Sequence, residues 1–234
     1  MDRTVKVSQQ AWARTAGFAL LAIIVFGLTG MLIQSFGGPG SEIQNILAHE
    51  RRFRIGLAFG FLMLNNDVLL AVALYALLKP VNAPLALLGT LWRFANAVVL
   101  GVGIVGAFTA LNLLSAPHSS GAFTVAQAQA LAGQFQQMNV TASPIGLLFW
   151  SMGAAIHSYL LWKSEYIPKL LSISYLAIAL VILVGCSAML IFPAVEAVID
   201  PWFVLPDLPI ELAVALWLMI RGANIPAAIP LRPR

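Results

Sequence analysis

The chain has 234 residues, of which 60% are hydrophobic and 9% charged, with a mean hydropathy of +0.90. Soluble domains carry about 25% charged residues, so this composition excludes them and points to a chain that crosses a membrane several times. The net charge of +4 comes from 13 Lys and Arg scattered through apolar sequence, which form no basic stripe for nucleic acid and fit membrane topology instead.

The single cysteine, Cys186, lies within an apolar run, so no internal disulfide and no cysteine-rich metal site are expected. A short basic segment, MDRTVKVSQQAWAR, leads into the apolar run Ala16–Ile33. That run exceeds the 7 to 15 residues of a signal-peptide core, and the following QSFGGPGS offers no small-x-small cleavage site, so a retained first helix is predicted over about 12–34. The Gly37–Gly40 cluster ends it, and Ser41 with Gln44 fits a capping box opening a short surface helix through IQNILAHE.

The second span, about 53–79, contains Arg54–Lys79, with the small-xxx-small pair Gly56 and Gly60 and one carboxylate, Asp67, near its middle. A carboxylate at membrane depth costs roughly 3 kcal/mol on insertion scales, so it is expected to face the bundle interior and to have a partner. The tight connection KPVNAP makes the third span, about 84–114, antiparallel to the second, and Asp67 and Arg93 lie at nearly equal distances on either side of it. Their depths then differ by only a few Å at about 1.5 Å per residue, and the two side chains are predicted to pair. The third span also holds a formal GxGxxG, Gly101–Gly106. It fails as a dinucleotide fingerprint because no strand precedes it, and no acidic residue between Asp67 and Glu165 could hold a ribose; a helix-packing surface is predicted.

Between Ser115 and Asn139 polarity rises without a charge. Thr124 and Gln127 form a second capping box before VAQAQALAGQFQQM, whose Val125, Leu131, Phe135 and Met138 recur near helical spacing, so a short amphipathic helix on the membrane surface is predicted. It would serve as a loop cover or as a lid over a cavity. The fourth span, about 140–162, carries His157, and a turn with Lys163, Glu165, Pro168 and Lys169 leads to the fifth, about 169–192. An acidic, proline-broken segment precedes the sixth, about 203–221, in which Glu211 follows Pro206 and Pro209.

With both termini inside, cytoplasmic segments collect Arg3, Lys6, Arg14, Lys79, Lys163, Lys169, Arg221, Arg232 and Arg234, against Arg51, Arg52 and Arg54 outside. The positive-inside bias therefore predicts a multi-pass protein of the inner (plasma) membrane with cytoplasmic N- and C-termini. The fold class is all-α, a single six-helix transmembrane bundle.

The stretches RFRIGLAFGFLMLNNDVLLAVALYALLKPVN, LWRFANAV, YIPKLLSISYLAIA and PIELAVALWLMIRG together resemble the bacterial membrane family catalogued as domain of unknown function 4386. The likeness extends from about Trp12 to Gly222. It implies a six-helix fold in which Arg54, Asp67, Lys79, Pro80, Arg93, Pro168 and Glu211 stand at recurrent positions, with the first and third loops variable. It implies no activity.

The polar groups within the spans are the candidate binding residues: Asp67, Arg93, Asn66, Asn96, His157, Glu211 and Arg54. Glu211 and Arg54 both begin their spans at the external side and are predicted to lie within reach of each other. His157 reads more simply as a hydrogen-bonded packing residue; its distance from His49 and His118 argues against a metal or haem site, and no cofactor is expected. No HExxH, G-x-S-x-G or Walker loop occurs. Three functions stay open: binding or transport of a small apolar or amphiphilic molecule, an intramembrane enzyme acting on a lipid-like substrate, and a structural or accessory subunit. Membrane lipids and a second copy of the chain are the natural partners.

Overall fold

Long apolar runs become helices because nothing in hydrocarbon can satisfy a backbone N–H or C=O except the segment itself. In the computed structural model, which describes residues 3–35, 42–115, 123–192 and 205–225, the helices are α1 (Arg3–Ser35), α2 (Glu42–Ala48), α3 (Glu50–Leu78), α4 (Ala83–Ser115), α5 (Val125–Ser164), α6 (Lys169–Ile191) and α7 (Asp207–Ile220). All described elements are helical, and five of them, α1, α3, α4, α5 and α6, are long and apolar enough to cross a membrane. The Ser41–Gln44 box, most of the acidic segment at 193–204 and the proline-rich tail after 225 lie outside the described residues.

Two sequence expectations are corrected. The third-loop segment is not a separate surface helix: α5 runs unbroken for 40 residues, about 60 Å at 1.5 Å per residue, from the Thr124 cap to Ser164. No helix breaker stands between Met138 and Val140, and Pro144 is tolerated inside the helix. The Thr124–Gln127 capping box does form: Gln127 N donates to Thr124 Oγ1 at 3.3 Å and Thr124 N to Gln127 Oε1 at 2.9 Å. From that cap the first turns extend α5 along α4, where Ala132 and Phe135 join Ala107, Ala110, Leu111 and Ile46 of α2 in a small apolar cluster. The second correction concerns the last span. α7 has only 14 residues, about 21 Å, whereas a bilayer core is about 30 Å thick, so its first residues, Asp207 and Glu211, are buried within the bundle rather than placed at its rim.

The turn between α3 and α4 is built as its sequence suggests. Val81 N donates to Leu78 O at 2.9 Å, and the Asn82 side chain accepts from Leu85 N at 3.0 Å, capping α4 just where Pro84 has no N–H to offer. The helices pack as a ring in chain order: α1 on α3, α3 on α4, α4 on α5, α5 on α6, α6 on α7, and α7 back on α1. Small residues set the crossings. A Cβ on Gly153 of α5 would stand 2.9 Å from Gly89 O of α4, one on Gly103 would stand 2.9 Å from Ala142 Cβ, and one on Gly30 of α1 would stand 3.2 Å from Gly56 O. Gly103 and Gly106 of the formal dinucleotide motif thus pack α4 against α5, and Gly56 and Gly60 pack inward.

After α7 the chain turns at Gly222, whose φ of +73° is in the left-handed region that a side chain disfavours. Gln10 of α1 then clamps it, donating from Nε2 to Ala223 O at 2.5 Å and accepting from Ala223 N at 3.1 Å, while Asn224 N donates to Tyr166 O at 2.9 Å. These bonds lock the ring at the end that carries Lys79, Lys163 and Arg221, here called the basic end; α2 caps α3, α4 and α5 at the other.

Candidate functional site

Asp67 lies eleven residues before the end of α3, and Arg93 ten after the start of α4. Glu211 lies nine before the end of α7, and Tyr175 six after the start of α6. At 1.5 Å per residue all four sit about 9–17 Å from the basic end, and the ring turns them toward one another. Arg93 Nε donates to Asp67 Oδ1 at 2.6 Å, and Asn96 Nδ2 donates to Asp67 Oδ2 at 2.8 Å, so both carboxylate oxygens are satisfied. Arg93 is 1% exposed and Asp67 4%. The pairing expected from matched depths is present, with Asn96, one helical turn beyond Arg93, as its third member. In hydrocarbon a lone charge is costly; the short charge-assisted bond makes this pair tenable.

Glu211 is held differently from expectation. Tyr175 donates from its hydroxyl to Glu211 Oε1 at 3.2 Å, the Trp150 side chain faces the same carboxylate, and the Arg93 charge acts on it from α4. Arg54, the predicted partner, is exposed at the far end of α3: its Nε donates to Glu50 Oε1 at 2.8 Å and its guanidinium lies over the Phe108 ring at 5.6 Å. The reason is the shortness of α7, which starts Glu211 deep in the bundle while Arg54 stays near the α2 end. Because the Arg54–Glu50 pair is open to solvent or headgroups, Arg54→Ala is expected to leave the melting temperature of the solubilised protein within experimental scatter. A clear drop in a thermal-shift assay would show that the pair is structural after all.

Above the Asp67–Arg93 pair, toward the α2 end, the ring leaves half-open space between its helices. An outer chamber of about 520 Å³ lies between α1, α3, α4, α5 and α6, walled by Gly27, Gly30, Met63, Ile104, Val140 and Met189 among others, with Gln34, Asn139 and Ser143 as its polar points. An inner chamber of about 130 Å³ is lined by Asp67, Arg93, Asn96, Ile23 and Trp150. Met63, Leu100, Ser143 and Leu147 belong to both walls, so the two chambers adjoin, the inner one lying against the Asp67–Arg93 pair. The outer volume falls in the roughly 300–1,000 Å³ range of small-molecule sites.

Of the seven candidate residues, Asp67, Arg93 and Asn96 meet at the inner chamber, and Glu211 stands behind Arg93. The other three lie outside both chamber walls. Asn66 Nδ2 bonds back to Leu62 O of its own helix at 2.9 Å. His157 is fully buried at the α4–α5 crossing, with its ring against Gly89 and near the Ala86 carbonyl; it packs there, but neither ring nitrogen makes a hydrogen bond of good geometry among the described residues, unlike the hydrogen-bonded residue expected. Arg54 is exposed, as described.

Sequence reasoning passed over Tyr175, Trp150, Ser143 and Asn139. Tyr175 had a usable signal, since its distance from the start of α6 puts it near the depth of Arg93. Ser143 had none, because a serine on a helix that turns out to be continuous gives no hint of which face meets a cavity.

Neither the curated proteins nor the solved structures offer a match to this chain. The family model described as domain of unknown function (DUF4386) matches residues 15–222, which take in α1 from Thr15 onward, all of α2 to α7 and every residue lining the two chambers, and the chain belongs to that family.

Proposed function

We propose that this membrane protein binds, and in transport would move, a small apolar or amphiphilic molecule held in the cavity above Asp67 and Arg93. The observation that carries this reading is the cavity itself: about 520 Å³ of half-open, mostly apolar space between five helices, adjoining a smaller chamber lined by Asp67 and Arg93. A carboxylate and a guanidinium are expensive to place at membrane depth, and intramembrane charges that line a cavity mark ligand paths more often than scaffolding. The accessory-subunit reading draws less support, because the small residues that could serve a partner helix, Gly17, Gly30, Gly56, Gly103 and Gly153, are used within the chain's own crossings. On this reading α7 and the segment before it form a sixth crossing, and the basic end faces the cytoplasm of a bacterial inner membrane.

The test is photolabelling of the protein in liposomes with a diazirine-bearing dodecanol, the adducts being mapped by tandem mass spectrometry. Adducts are expected on Met63, Leu100, Leu147 and Met189, lost on competition with excess dodecanol and reduced by Ser143→Trp, which fills the junction of the chambers. Adducts confined to lipid-facing Val72, Phe94 and Val184, which are 47%, 49% and 68% exposed, would overturn the reading.

A further inference from the structure

A groove of about 390 Å³ lies on the outer surface of the ring near the α2 end, between Arg54, Ala58 and Phe61 of α3 and Val105, Phe108 and Thr109 of α4. Leu57 and Ile104 complete it and also wall the outer chamber, so groove and chamber lie back to back across the α3–α4 pair. Phe61, Val105 and Phe108 are exposed, which in a membrane means that they meet lipid.

Helix length sets the depth of the groove. Arg54 stands in the first turns of α3 and Lys79 caps its end, about 37 Å apart at 1.5 Å per residue. A bilayer core is about 30 Å thick and about 40–45 Å with its headgroups, so with Lys79 in one headgroup layer Arg54 reaches the other. Phe61, two turns further along α3, is about 10 Å deeper. The groove therefore descends from a charged head at phosphate level into hydrocarbon, along the path of the upper part of an acyl chain.

The charges at its head are complementary to an anion. Arg51, Arg52 and Arg54 are all exposed and are set against Glu50 alone within residues 50–54, a surplus of two positive charges. Arg54 Nε donates to Glu50 Oε1 at 2.8 Å, which uses one of the five N–H groups of a guanidinium, and the group rests over the Phe108 ring at 5.6 Å. A zwitterionic choline head would bring a trimethylammonium toward this surplus. An anionic head brings no such charge and offers its phosphate oxygens to Arg54.

We propose that the α3–α4 groove is a binding site for an anionic glycerophospholipid, with its phosphate accepting from Arg54 and the upper part of one acyl chain lying over Phe108, Val105 and Phe61. This site is separate from the cavity, and neither occupant depends on the other.

The test uses phosphatidylglycerol carrying a diazirine on one acyl chain close to the ester, as a minor component of phosphatidylcholine nanodiscs that hold the full chain. A phosphatidylcholine with the same diazirine chain is the matched probe, and adducts are mapped by tandem mass spectrometry. On Ala58, Phe61, Val105 and Phe108 the phosphatidylglycerol probe is expected to give about fivefold more adduct than the phosphatidylcholine probe, the worth of one arginine at an anionic lipid surface. On Leu190 and Ile191 of α6, lipid-facing at a similar depth, the two probes should label equally. Arg54→Ala should bring the groove ratio down to that of α6, whereas Glu50→Gln, which removes the carboxylate that Arg54 now bonds, should raise it. Excess inorganic phosphate should leave the ratio unchanged, because it has no chain to lay in the groove. Equal labelling of the groove by the two probes in the wild type would overturn the proposal, as would a ratio that survives Arg54→Ala. A ratio abolished by inorganic phosphate would also overturn it, by making Arg54 a site for small anions rather than for a lipid. Should Arg54→Ala fail to fold, the wild-type ratio and its response to Glu50→Gln still decide.

Discussion

Asp67→Asn is expected to lower the stability of the solubilised protein by about 3–5 kcal/mol, and adding Arg93→Leu to it is expected to restore part of that loss. The single substitution leaves the Arg93 guanidinium, 1% exposed, facing a neutral amide at the site where it now has a 2.6 Å bond to a carboxylate. The reverse single substitution, Arg93→Leu, strands Asp67 with only Asn96 as a donor and should cost a comparable amount. Removing both charges leaves two neutral side-chain amides, the introduced one and that of Asn96, beside an apolar side chain, an arrangement that an apolar bundle tolerates better than one unpaired ion. The two single variants and the double variant, compared by thermal unfolding in one detergent, give the coupling directly. Strictly additive losses would mean that Asp67 and Arg93 do not depend on each other.

Gly17→Val is expected to be the most damaging substitution of a small residue in the ring. A Cβ at Gly17 would stand 2.6 Å from Ala215 O and 2.9 Å from Leu218 C, and closer still to Met219 N. All three atoms are backbone of α7, so no side chain can swing aside; α1 and α7 must separate. Overpacking in a core costs typically about 1–3 kcal/mol, and here the displaced helix also carries Glu211 away from Tyr175, which adds the loss of a buried hydrogen bond. Gly133→Ala on α5 is the matched control, since an added Cβ there meets nothing within 4 Å. It should stabilise the helix by up to about 1 kcal/mol through propensity alone. Equal melting temperatures for the two variants would contradict the close α1–α7 approach.

The parts of this structure that could be read from sequence are those governed by one helix or one short turn. The apolar run lengths, the Thr124 cap, the short α2 and the inward-facing glycines of α3 and α4 all follow from local pattern. The Asp67–Arg93 pair was legible for a related reason: the two helices share a tight turn, so counting residues from it fixes relative depth. Glu211 was misplaced because its helix has no such anchor. Counting from an assumed membrane rim put it beside Arg54, whereas α7 begins inside the bundle and sets it behind Arg93 at the level of Tyr175. The third-loop segment failed for the opposite reason. Its glutamine-rich face satisfies the amphipathic pattern equally well as a surface helix or as the extension of a span, and only the packing of Ala132 and Phe135 on α4 decides between them. The cavity was the least legible feature. It exists where five helices diverge, and that is a property of all their crossings together.

Whether the space above Asp67 and Arg93 is a ligand site is tested most directly by a density map of the protein extracted with its own membrane lipids. An elongated feature is expected to fill the outer chamber between Met63, Ile104 and Met189, with one end reaching past Ser143 toward the inner chamber. A chamber closed by the inward collapse of Met63, Leu100 and Leu147, with no density between them, would contradict it.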